Sequence, residues 1–135
     1  MKRLFSTKYS AGAFNTALLI LRFVAAGLMI RHGYIKIISF NIEVTKMISL
    51  FGISPKICLL LVIFAEFFCS ILLIIGLFTR LACIPLVITM AVALFIKHDG
   101  HFFGDGQIAT IFLACYAAIF LLGPGRISID SMIGK

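Results

Sequence analysis

The chain has 135 residues, 62% of them hydrophobic and only 13% charged, with a mean hydropathy of +1.18 and a formal net charge of +7. Soluble domains are about half apolar and about a quarter charged, so this composition excludes an ordinary water-soluble domain. It also excludes a disordered chain, a collagen-like repeat and a secreted disulfide scaffold, leaving a membrane protein whose residues 1–135 form one embedded unit.

A membrane-spanning helix takes about 20 mainly apolar residues, because the hydrocarbon core is about 30 Å thick and each helical residue rises about 1.5 Å. The first candidate runs from about residue 13 to 38 and is interrupted by Arg22. Lys2 and Arg3 precede it as they would a secretory signal, but Arg22 breaks the apolar run and no small-residue cleavage site follows, so an uncleaved span is expected. Between about 42 and 51, Val44, Met47, Ile48 and Phe51 recur at helical spacing while Glu43, Lys46 and Ser49 fall elsewhere, as in a short helix lying in the interface. The second span, about 55–78, starts on the capping residue Ser54 and the first-turn Pro55 and carries Glu66 near its middle. After a short turn at Thr79 and Arg80 comes the third, about 81–97, with Pro85 near its start. The fourth, about 107–122, stops at Gly123-Pro124-Gly125. The expected fold is therefore all-α: an integral membrane four-helix bundle with a short interfacial helix between the first and second spans.

Four spans put both termini on one side. Lys2, Arg3, Lys8, Arg80, Arg126 and Lys135 fall there, six bases, against five (Arg31, Lys36, Lys46, Lys56 and Lys97) on the other, which favours cytoplasmic termini. The bases are spread singly, with no stripe and no interleaved aromatics, so nucleic acid is not an expected partner and the lipid bilayer is. Cys58, Cys69, Cys83 and Cys115 sit inside apolar runs without a C-x-x-C pair and read as small buried hydrophobes.

An ionisable group at the centre of a span costs at least about 2.5 kcal/mol and must face a partner. Arg22 and Glu66 are the deepest, roughly 13 and 18 Å from the terminal side at about 1.5 Å per residue, so an Arg22–Glu66 ion pair is the preferred pairing. Such a pair either fixes helix register or leaves Glu66 to bind a headgroup or relay protons. Tyr116 falls at similar depth on the fourth span and either joins that network or packs in the core. On the first span Arg22, Gly33 and Lys36 lie within about 60° of one another at 100° per residue, and Gly33 admits a close neighbour, helix or ligand. The segments 14–80 and 81–126 echo each other weakly, as two hairpins of the same sense. That arrangement brings Arg31, His32, Lys97, His98 and His101 to one rim with Asp99 and Asp105. The rim could hold a headgroup or a quinone carbonyl, or be a solvated loop, but His98-x-x-His101 alone is a poor ligand set and no metal is expected. Phosphate-loop, dinucleotide and nucleophile-elbow motifs are absent, and no histidine lies mid-span for haem.

Leu21-Arg22, His32-Gly33-Tyr34-Ile35-Lys36, Glu66, Gly76-Leu77-Phe78-Thr79-Arg80 and the terminal Gly123-Pro124-Gly125-Arg126-Ile127-Ser128-Ile129-Asp130 together resemble the DoxX family of small bacterial and archaeal membrane proteins, over about residues 17–130. Gln107 departs from the pattern, since many relatives carry Glu there. The resemblance implies a four-helix membrane bundle in a bacterial cytoplasmic (inner) membrane. It also implies a redox-associated accessory subunit, or an oxidoreductase subunit acting with quinone, together with a partner redox protein or a second copy of the chain. On this reading Arg22, His32, Gly33, Lys36, Glu66 and Tyr116 line a site for a quinone or similar amphipathic molecule. Arg80, Arg126, Ser128 and Asp130 are structural, Ser128 and Asp130 capping the point where the chain leaves the membrane and Asp130 pairing with Arg126 or Arg80. A non-enzymatic scaffold and a small-solute transporter are the alternatives.

Overall fold

A computed structural model describes residues 2–46, 52–97, 104 and 106–134, and among them every regular element is helical. A 3-10 turn, Lys2–Phe5, leads to α1, Ala11–Ile38, which Ser10 caps by accepting from the Ala13 N–H. The chain turns at Ser39 into α2, Phe40–Lys46, a surface helix with no buried residue; the rest of the expected interfacial segment, including Met47, Ile48, Ser49 and Phe51, lies outside the described residues. α3, Pro55–Ile75, begins with Ser54 accepting from the Ile57 N–H and Pro55 in the first turn. It is α-helical over Pro55–Ile63, π-helical over Phe64–Cys69 and α-helical again over Ser70–Ile75.

α3 ends at Ile75 rather than Phe78 because Gly76 adopts the left-handed conformation (φ 73°) that a side chain resists, and its N–H closes the helix on Leu72 and Leu73. α4, Thr79–Val92, follows at once and runs into a second π-helical stretch, Ala93–Lys97. α5 is Gln107–Leu122, and a last short helix, α6, spans Ile129–Ile133.

α5 packs along α4, α1 lies against α3 and α5, and the π-helical part of α3 touches both α1 and α4. Leu18, Met29, Leu73, Leu86, Tyr116 and Ile119 fill the core, while Ala25, Ala26, Ala82 and Cys83 let the helices approach closely. α1 and α3 are long and apolar enough to cross a membrane; α4 and α5 are shorter apolar helices. Only 28% of the most apolar stretch of α1 and 39% of that of α3 is buried. Phe23, Val24, Leu28, Leu61, Phe64 and Ile88 all point outward instead. A soluble protein rarely exposes so continuous an apolar surface, and lipid is the solvent that suits it.

Candidate functional site

Arg22 and Glu66 do not meet. Side chains on a helix lean toward its N-terminus, so Arg22 on α1 leans toward the end that carries the termini, while Glu66 on the antiparallel α3 leans the opposite way. Each finds a different partner, and the expected single site separates into two, with Arg22 and Lys36 about 21 Å apart along α1 at about 1.5 Å per residue.

At the terminal end Arg22 is almost completely buried (1% exposed) and bonds only to backbone. Its Nε donates to Leu73 O (3.0 Å), Nη2 to Ile74 O (3.0 Å), and Nη1 to both Pro124 O (2.8 Å) and Ile127 O (2.7 Å). Leu73 and Ile74 close α3, where carbonyls lack partners within the helix and the dipole end is negative, so a guanidinium suits the position. The same side chain fastens the Gly123-Pro124-Gly125 exit to α1, and its direct partners are neutral carbonyls.

Ser128 and Asp130 complete this latch. Ser128 Oγ accepts from the Ser131 N–H (3.1 Å) and caps α6. Asp130 does not pair with Arg80 or Arg126: its Oδ1 accepts from the Phe78 N–H (2.7 Å) and its Oδ2 from the Thr79 N–H (2.8 Å), while its own N–H donates to Gly76 O (2.9 Å). Phe78 is left-handed (φ 50°) and has no capping side chain of its own, so Asp130 caps α4 from 52 residues away. Partial burial pushes the Asp130 carboxyl up, but hydrogen bonds from the Thr79 and Phe78 amides and the nearby Arg22 charge outweigh it, and the group sits below its ordinary value. Gly76 has no room for a side chain, since a Cβ would stand 2.8 Å from Arg22 Nη2. Arg80 lies over Gly123, where a Cβ would be 3.0 Å from its Nη2, and the Arg126 N–H donates to Asn15 Oδ1 (2.8 Å). Asn15 was not singled out from sequence; its only signal is an amide in the opening turns of an apolar span.

At the other end Glu66 sits on the π-helical turn of α3, 4% exposed, and its Oε2 accepts from Lys36 Nζ at 2.5 Å. It is the one ion pair among the described residues. Glu66 Oε1 has no protein partner there, and neither does the fully buried Ser70 Oγ one turn further on. Gly33 is a packing position: a Cβ on it would lie 2.9 Å from both Cβ and N of Phe67, so α1 and the turn bearing Glu66 touch backbone to backbone. His32 is exposed, with Nδ1 2.9 Å from Leu28 O and its ring edge-on to Phe112 at 6.0 Å. Tyr116 is fully buried and donates to Ala25 O (3.2 Å); its hydroxyl lies beside Ser70 and near enough to feel the Glu66 charge, though it bonds to neither charged group. An apolar groove of about 250 Å³ between α1 and α5 is lined by Leu21, Leu28, Ile108, Ile111, Phe112 and Cys115 among others, and His32 touches its Leu28 and Phe112 walls.

Among the described residues no three His, Cys, Asp or Glu side chains gather into a metal-binding group. The expected rim residues His98, Asp99, His101 and Asp105 lie outside the described residues.

The DoxX family model matches residues 17–99. An uncharacterised protein of Haemophilus influenzae is 34% identical over 125 residues, covering 87% of this chain and 91% of the relative. No solved structure matches. The family match and the exposed apolar helices converge: the chain is a membrane protein belonging to the DoxX family.

Proposed function

We propose that the chain is a four-helix bundle of the bacterial inner membrane, its termini cytoplasmic, and that it works as a redox-associated accessory protein binding a quinone or similar amphipathic small molecule beside Lys36 and Glu66. The observation that carries this reading is the buried Glu66 carboxylate on a π-helical turn, paired on one oxygen only. Charged groups within spans are costly and mark functional places, and π-turns recur at such places. Lys36 offers donors for a carbonyl, Glu66 Oε1 an acceptor for a hydroxyl, and the α1–α5 groove beside His32 an apolar surface for a chain or ring.

Purified protein titrated with a water-soluble short-chain quinone should bind it, and Glu66→Gln should weaken binding and the cellular redox phenotype together. Absence of binding by the parent, with Glu66→Gln supporting the same phenotype, refutes the proposal. A scaffold is the second reading, favoured by Arg22, a buried cation that fastens the end of α3 to the segment after α5. Under that reading Glu66→Gln alters stability and leaves the phenotype of the folded protein intact.

A further inference from the structure

The end of the molecule that carries the termini has a surface neither the latch nor the Glu66 site uses. Lys8, Arg80 and Arg126 are exposed there and pair with no acid among the described residues. Asp130, the one described acid at that end, already accepts from the Phe78 and Thr79 amides. Sequence places Lys2, Arg3 and Lys135 at the same termini. Among these bases stand large apolar side chains almost wholly out of the protein: Leu4 and Phe5 (83% exposed), Tyr9 (82%), Met132 (78%) and Ile133 (71%). They belong to the 3-10 turn, the segment before α1, and α6, short pieces at the edge of the apolar helices. Water suits the bases and not the apolar groups; hydrocarbon suits the reverse.

Only the boundary between headgroups and acyl chains satisfies both, and only an anionic headgroup answers the excess of positive charge. Beside Arg126 there is also a concavity of about 350 Å³, walled by Tyr9, Phe14, Asn15 and Gly125. Asn15 Oδ1 accepts from the Arg126 N–H and sets that residue at the mouth. We infer that this face is a docking surface for anionic phospholipid of the adjoining leaflet, with the headgroup phosphate at Arg126 and Lys8 and the glycerol and upper acyl chain against Tyr9 and Phe14.

The full-length protein, purified in detergent and stripped of lipid, is titrated with phosphatidylglycerol or phosphatidylcholine and the bound lipid counted by native mass spectrometry. Phosphatidylglycerol should be retained in preference. That preference should fall about five-fold in Arg126→Gln and about twenty-five-fold in the Lys8→Gln/Arg126→Gln double variant, since each base near a surface contributes about that factor. Arg126→Lys should stay near the parent, and free inorganic phosphate should displace little lipid, because the apolar groups hold the rest of it. Among the described residues Lys8 and Arg126 form hydrogen bonds only through their backbone N–H groups, so the variants keep the fold, which far-UV helicity checks. Equal retention of both lipids by the parent, an unchanged preference in the double variant, or full displacement by free phosphate would overturn the assignment.

Discussion

Removing Arg22 and Glu66 separately and together distinguishes the observed wiring from the more obvious one. In Arg22→Met, Ile74 O, Pro124 O and Ile127 O lose the guanidinium that binds them, whereas Leu73 O still receives the Gly76 N–H (3.2 Å). A fully buried carbonyl left without a donor costs about 1–3 kcal/mol, so three give at most roughly 3–9 kcal/mol, and less here because the bonds to Ile74, Pro124 and Ile127 are only part-buried. Relief of the several kcal/mol that burial of the cation costs offsets part of this. The net is a protein several kcal/mol less stable, a large fraction of the about 5–15 kcal/mol typical of folded domains. Reversible unfolding in mixed detergent micelles, followed by helicity, measures it for Arg22→Met, Glu66→Leu and the pair. With Arg22 bonded to the α3 end and Glu66 to Lys36, the two losses should add within about 0.5 kcal/mol, while Lys36→Met with Glu66→Leu should show coupling of about 0.5–3 kcal/mol. If Glu66→Leu instead rescues Arg22→Met, Arg22 is the counter-ion of Glu66 and the latch described here is wrong.

Asp130→Ala should lower stability by about 0.5–2 kcal/mol, the ordinary worth of a cap, and should speed hydrogen exchange at the Phe78 and Thr79 amides. Because the folded carboxyl lies below its ordinary value, this contribution is complete above about pH 5 and is lost from about pH 4 downward, so the difference between parent and variant should vanish in acid; an undiminished difference there refutes the cap. Gly33→Ala should cost about 1–3 kcal/mol by overpacking against Phe67, whereas Gly27→Ala on the same helix, which meets nothing within 4 Å, should be stabilising by about 0.5–1 kcal/mol. Equal effects in the same unfolding assay would show that proximity to Phe67 does not decide.

How much of this the sequence discloses depends on the range of the interaction. Ser54-Pro55 and Gly123-Pro124-Gly125 announce a helix start and stop because capping and breaking act within a few residues. The depth of Arg22 and Glu66 is also legible, being a count of residues from a span's end. The choice of partner is not. Two antiparallel helices place residues of equal depth at one level, but side chains lean by several ångströms in opposite senses, and backbone carbonyls at a helix end compete for an arginine as well as a carboxylate does. The π-helical turn under Glu66 has no local signature in Phe64-Ala65-Glu66-Phe67-Phe68-Cys69. Gly33 shows as a small residue whose neighbour, Phe67, only the three-dimensional arrangement supplies.

The latch also imposes an order on biogenesis. Arg22 and the turn at Gly76–Thr79 precede α5 in the chain, yet Pro124 O, Ile127 O and the Asp130 carboxylate that complete them are made only after α5. Throughout insertion the nascent helices therefore carry an incompletely bonded arginine and an uncapped α4. A messenger cut short after Leu122 yields four apolar helices that lack their final fastening, a ready substrate for membrane proteases. Synthesis of the segment 123–130 is thus the step that converts an inserted chain into a durable one.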